Sequence, residues 1–188
     1  MSKVLVLDAG HGGADPGAVS VYNGRLVKEK VLAWELCVRV RQLCEKRKDL
    51  KVVIVPHGGV FDVPNRNRFA ERVKFAKEQK PTHFVSVHFN SFSNKNATGV
   101  ETFFRGNEHA AFAGSLSFNV SQEIGLQNRG HKQDSRSVRG RLAILSNHGN
   151  YDACLLEVCF ISNPNDLAKY FRYVDDVAQS IIDTVLRD

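Results

Sequence analysis

Two histidines and two glutamates stand where chemistry is easily built. His11 lies in "VLDAGHGGADPGA", just after the apolar run Val4 to Leu7, and His88 lies in "FVSVHFNS" toward the end of an apolar run. Glu29 falls near the start of a helix-patterned stretch, and Glu157 interrupts the apolar "ACLLEVCFI". Taken singly, most of these have ordinary explanations. An imidazole at a strand end commonly makes a structural hydrogen bond, and a glutamate in a first helical turn complements the helix dipole. Glu157 is different, because a carboxylate among apolar neighbours is costly to bury without a partner or a changed pKa. Two imidazoles and a carboxylate from separate elements are a usual ligand set for a catalytic zinc that keeps one position open for water. That reading makes His11, Glu29 and His88 the ligands and leaves Glu157 to act as base. The glycine-rich loop has neither the G-x-x-x-x-G-K-[ST] nor the G-x-G-x-x-G order of a phosphate cradle.

The elements that must position these residues alternate along the chain. Val4 to Asp8 reads as a strand, and Val27 to Lys46 carries helically spaced apolar residues. Strands are expected at 51–57, 82–91, 99–106, 141–145 and 153–161, with helices at 64–80, 108–124 and two more from about 164 and about 173. Strand and helix in succession predict an α/β fold: a mostly parallel central sheet flanked by helices on both faces, in a single domain over residues 1–188. In such sheets, functional residues collect beyond the carboxyl ends of strands, where His11 and His88 fall. No internal repeat or linker interrupts the pattern.

Composition narrows the classes. With 188 residues and 43% apolar content, the chain can bury one proper core. No apolar run reaches the roughly 18 residues of a membrane span, and the N-terminus lacks the order of a secretory signal, so the chain is expected to be soluble and not self-exporting. The four cysteines are read as reduced; Cys37 and Cys44 on one helix lie about 10 Å apart along its axis, too far to bridge. A net charge of +6 favours an anionic partner: nucleic acid, a membrane surface or an acidic wall polymer. The densest basic stretch, "RGHKQDSRSVRGR" at 129–141, comes without any nucleic-acid-binding motif. The remaining histidines, 57, 83, 109, 131 and 148, show no ligand spacing and are expected at the surface, with His131 and His148 in loops able to reach a site edge.

Taken in order, "VLDAGHGGADPGA", Glu29 in "VKEKVLAWEL", "FVSVHFNS" and "LLEVCFISNPND" resemble the four motifs of the zinc-dependent N-acetylmuramoyl-L-alanine amidases of the amidase-3 type. Arg72 and Ala76, "GVETFF" and "NRG" at 128–130 add to the likeness, which runs from residue 4 to about 182. The resemblance implies one zinc per chain on His11, Glu29 and His88, with Glu157 as the catalytic carboxylate. It implies peptidoglycan as partner, cleaved between muramic acid and L-alanine, with no nucleic acid, no membrane insertion and a monomeric chain. Asp8 is a candidate to orient His11, and Cys159 is read as packing. The sequence departs from the family at Cys159, where Gly is common, and at Asp152, where Pro is common; Cys159 puts the fit of the peptide stem in question. A zinc peptidase of wall peptides and a non-catalytic wall-binding module remain open as alternatives. The expected place of action is the cell wall, reached by phage-type release or as a fragment of an exported protein.

Overall fold

A computed structural model describes residues 2–56 and 69–188. The sheet has six strands: β1 (Lys3–Ala9), β4 (Leu50–Ile54), β5 (His83–Asn90), β6 (Val100–Phe104), β7 (Asn128–Gln133) and β8 (Asp152–Phe160). Their order is β4-β1-β5-β8-β6-β7. The first four strands in that order are mutually parallel; β6 runs antiparallel to β8, and β7 is parallel to β6. A separate antiparallel hairpin joins β2 (Val19–Tyr22) to β3 (Arg25–Lys28).

Helices cover both faces because the parallel strands are apolar on both. On one face α1 (Glu29–Cys44), α3 (Ala110–Ile124) and α4 (Pro164–Arg187) close over Leu5, Leu7, Val85, Val87, Leu156 and Val158, the larger core. On the other, α2 (Phe69–Glu78) and the short 3-10 turn Ala143–Leu145 pack on Val6, Phe84, Phe103 and Leu155. Asn163 caps α4 by accepting from the backbone N–H groups of Asn165 and Asp166, with Pro164 in the first turn. Tyr173 leaves helical geometry, so α4 bends where two closing helices are expected from the sequence.

Three expectations change. The helix placed from Val27 begins at Glu29, because "YNGR" makes a two-residue hairpin turn: Asn23 and Gly24 both have positive φ, 48° and 75°. Residues 141–145 do not form a strand; Ile144 and Leu145 are buried through the 3-10 turn against α2 instead. The sheet edge is taken by β7, the first part of the basic stretch read as a loop. His57 and residues 64–68 of the expected second helix lie outside the described residues.

Candidate active site

His11 follows β1 and occupies the left-handed region itself, at φ 63°. For a residue with a Cβ this conformation stores strain, of the order of 1–3 kcal/mol, and it is common at functional sites. His88 lies near the end of β5, two residues before Asn90, beside its register partner Glu157 of β8. Glu29 opens α1, and the hairpin places it: Glu29 N–H donates to the Ala18 carbonyl at 2.9 Å, and Ala18 N–H donates back to Glu29 Oε2 at 2.8 Å. Phe89 N–H donates to Glu29 Oε1 at 3.1 Å.

These positions bring three donors together. His11 Nε2 lies 3.1 Å from Glu29 Oε2, and His88 Nδ1 lies 3.0 Å from Glu29 Oε1. One ligand atom from each residue falls within 4.8 Å of the others. Four-coordinate zinc, with bonds of about 2.0–2.2 Å to N and O, keeps its ligands roughly 3.3 Å apart, so the donor set fits such an ion. The backbone leaves room for the imidazoles: a Cβ on Gly10 would come within 2.5 Å of the His88 ring, and one on Gly17 within 2.6 Å of the His11 ring.

The electrostatics follow from this crowding. Burial favours the neutral form of Glu29, but the hydrogen bonds and charges of His11 and His88 overcome it and hold the carboxyl well below its ordinary range. Burial likewise opposes charge on His11, while Glu29 and Asp15 outweigh it and raise the imidazole. Glu157 goes the other way. Its Oε2 is buried and has no hydrogen-bond partner among the described residues. Burial, then the negative charges of Glu29 and Glu101, push its carboxyl well up, with Arg139 opposing.

Asp15, not Asp8, holds the His11 ring: Nδ1 donates to Asp15 Oδ2 at 2.9 Å, the carboxylate–histidine arrangement that fixes which nitrogen faces a metal. Asp8 is fully buried behind the site, accepting from Ser86 Oγ at 2.7 Å and from Arg72 Nη1 at 3.3 Å. Arg72 also donates to the His11 carbonyl at 2.9 Å, so Asp8 acts on the loop backbone and not on the ring. Glu101 was not singled out by the sequence reading. It lies directly opposite Glu157 on β6, accepting from Asn90 Nδ2 at 2.6 Å and pairing with Arg129 at 3.2 Å and with Lys132. Its signal was available, since Glu101 interrupts apolar "GVETFF" as Glu157 interrupts its own strand.

Cys159 is fully buried in the larger core, so it packs as expected and adds nothing to a groove; all four cysteines are free. His83 and His109 are buried, contrary to the expected surface placement, and His148 is partly buried. His131 is exposed.

The fold and this site together define a class: an α/β enzyme domain with a two-histidine, one-glutamate donor set at the sheet's carboxyl edge and a partly buried carboxylate beside it. A family model described as N-acetylmuramoyl-L-alanine amidase (Amidase_3) matches residues 5–187. The chain belongs to that family, and its activity class is amide hydrolysis in peptidoglycan. It is 26% identical over 195 residues to the germination-specific N-acetylmuramoyl-L-alanine amidase of Bacillus subtilis, covering 98% of this chain and 79% of that protein. To the endolysin of Bacillus phage SPP1 it is 29% identical over 193 residues, covering 95% of this chain and 63% of the endolysin. The catalytic domain of CwlV, an N-acetylmuramoyl-L-alanine amidase from Paenibacillus polymyxa, superposes with a TM-score of 0.83 at 29% identity, over 98% of this chain and 97% of that domain. Several relatives are longer: the chain spans 56% of the probable cell wall amidase LytH of Staphylococcus saprophyticus.

Proposed function

We propose that residues 1–188 form one catalytic domain that cleaves the amide between the lactyl group of muramic acid and L-alanine, with one zinc on His11, Glu29 and His88 and with Glu157 as base. The observation that carries this is the convergence of His11 Nε2, His88 Nδ1 and both Glu29 oxygens beside a carboxylate oxygen that has no hydrogen-bond partner among the described residues. When bound, zinc supplies Lewis acidity at a carbonyl oxygen and makes a water more acidic. Glu29 and the two imidazoles hold the charge in place, and Asp15 keeps His11 in the tautomer that presents Nε2. Glu157 takes the proton of the attacking water and passes it to the departing alanine nitrogen. Burial and the neighbouring carboxylates raise its proton affinity, and a divalent cation held by the three donors would offset that rise and favour the ionised carboxylate that a base must be.

No side-chain nucleophile is required. The thiols nearest in sequence to Glu157 are buried among apolar groups, and burial, the largest effect, raises both Cys154 and Cys159 well beyond the usual thiol range. The setting we infer is the cell wall, with peptidoglycan as the partner and a monomeric chain. No helix among the described residues is long and apolar enough to cross a membrane.

The test is metal analysis of purified protein combined with digestion of isolated walls, with and without chelator. The expected product carries the free amino group of L-alanine, and activity returns on adding zinc. Release of a different amino terminus would favour a wall peptidase instead.

A further inference from the structure

A second group of metal-type donors lies at the opposite, amino-terminal end of the sheet. His83 starts β5, Asp152 starts β8 as its register partner, and Asp188 follows the last turn of α4. One ligand atom from each lies within 4.8 Å of the others, the same convergence that defines the first centre. His83 is buried, and its Nδ1 is engaged by Thr82 Oγ1 at 2.8 Å. The nitrogen left to face the cluster is Nε2, 3.2 Å from Asp188 Oδ2. His109, also buried, approaches Asp152 Oδ1 with Nδ1 at 3.5 Å and Glu108 Oε1 with Nε2 at 3.7 Å. Lys3 belongs to this end as well, with its ammonium donating to the Val185 carbonyl at 2.8 Å.

The geometry points to a second divalent-cation site made by His83 Nε2 and the carboxylates of Asp152 and Asp188, distinct from the amidase centre. Two carboxylates held this close repel each other, and a divalent ion between them relieves that repulsion while using the imidazole lone pair. One nitrogen and two carboxylate oxygens suit zinc, cobalt or nickel better than calcium, which takes oxygen ligands alone. The carboxyl end of α4 carries the negative end of the helix dipole, which favours a cation there. His109 then acts as a positioning residue, steering Asp152 from its far side. The site would tie the end of α4 to the first residues of β5 and β8, the strands that carry His88 and Glu157.

The experiment uses the full chain carrying His11→Ala and His88→Ala, which leaves the amidase centre without its imidazoles, titrated with cobalt(II) and with zinc. The expected result is one saturable equivalent, with cobalt absorption bands of a nitrogen- and oxygen-ligated ion and a zinc-dependent rise in Tm by mass action. Adding Asp188→Asn, at an exposed position that leaves the core intact, should weaken binding at least tenfold, and Asp152→Asn should do the same. His83→Gln serves as a third variant if it folds. Absence of saturable binding in the parent of this series, or binding unchanged by both Asn substitutions, overturns the proposal. In the otherwise native chain, Asp188→Asn should leave hydrolysis of a soluble muramoyl-peptide unchanged; a loss there would mean that Asp188 supports the amidase centre, contrary to a separate site.

Discussion

His11 is held by both neighbours of its ring, Asp15 at Nδ1 and Glu29 at Nε2, so replacing it removes a proposed ligand and leaves two carboxylates without the imidazole between them. His11→Ala and His88→Ala should each abolish zinc at this centre, because a three-ligand site does not survive loss of one imidazole. Tight zinc retained there by both variants, read by equilibrium dialysis against a mild chelator, would reject the assignment. Glu157→Gln keeps the shape and removes the proposed base; activity should fall at least about a hundredfold while zinc content and Tm hold, since Oε2 of the carboxylate it replaces is buried with no hydrogen-bond partner among the described residues. Wall clearing near the parent rate would place the base elsewhere. A third residue sets a pH response of stability. His148 is wedged between the Ile144 carbonyl at 2.7 Å and the Tyr151 hydroxyl at 2.8 Å, and burial brings its imidazole down to about 4. The unfolded chain, with an ordinary imidazole near 6.5, binds this proton more readily. Stability from His148 is therefore complete above about 6.5 and lost as pH falls toward about 4. Urea unfolding at pH 7 and pH 5 should show a difference of about 2 kcal/mol that His148→Gln removes.

The loop and hairpin around α1 work as a mould for the donors. Gly17 sits at φ +67°, and a Cβ there meets both the His11 ring and Glu29; Gly10 has no unusual φ but lies against the His88 ring. Gly10→Ala should displace His88 without disturbing the core, lowering zinc affinity at least tenfold in a chain whose circular dichroism is unchanged. Native zinc affinity in that variant would mean the ring has room to shift. The segment leading into the hairpin contributes through two hydrogen bonds between Ala18 and Glu29, one backbone to backbone and one from the Ala18 N–H to the Glu29 carboxylate, so the helix start and the proposed metal donor are set by one contact.

Over the whole molecule the basic residues fall into two settings, paired and exposed. Arg129 and Lys132 neutralise Glu101 inside the site wall, and Arg129 also lies over the Phe160 ring at 5.1 Å. Arg136 and Arg141 are exposed on the following segment. Reversing charge at Arg136 and Arg141 should weaken adsorption to isolated walls at low salt, with the difference vanishing as ionic strength rises. Hydrolysis of a short soluble muramoyl-peptide should stay level in that variant. Reversal at Arg129 or Lys132 should damage both readouts, because it leaves the Glu101 carboxylate buried against a like charge. An equal loss on wall and soluble substrate at Arg136 and Arg141 would make them part of the groove.

What the sequence determined by itself was whatever depends on local pattern. Apolar runs of strand length and helically spaced stretches marked the α/β order, and four motifs at strand ends and a helix start marked His11, Glu29, His88 and Glu157 as a set. The hairpin was legible too, in the Asn23–Gly24 dipeptide, but was overrun by the helical pattern that follows it. Tertiary structure alone decided the partners. Asp15 orients His11 in place of Asp8 because β1 carries Asp8 into the core under Arg72 and Ser86, while the loop turns Asp15 back onto the ring. Glu101 faces Glu157 because β6 runs against β8, and no local pattern states strand direction. His83, Asp152 and Asp188 look unrelated along the chain. They meet because β5 and β8 pair in register from their first residues and α4 ends above them, a contact between positions 105 residues apart that only packing can make.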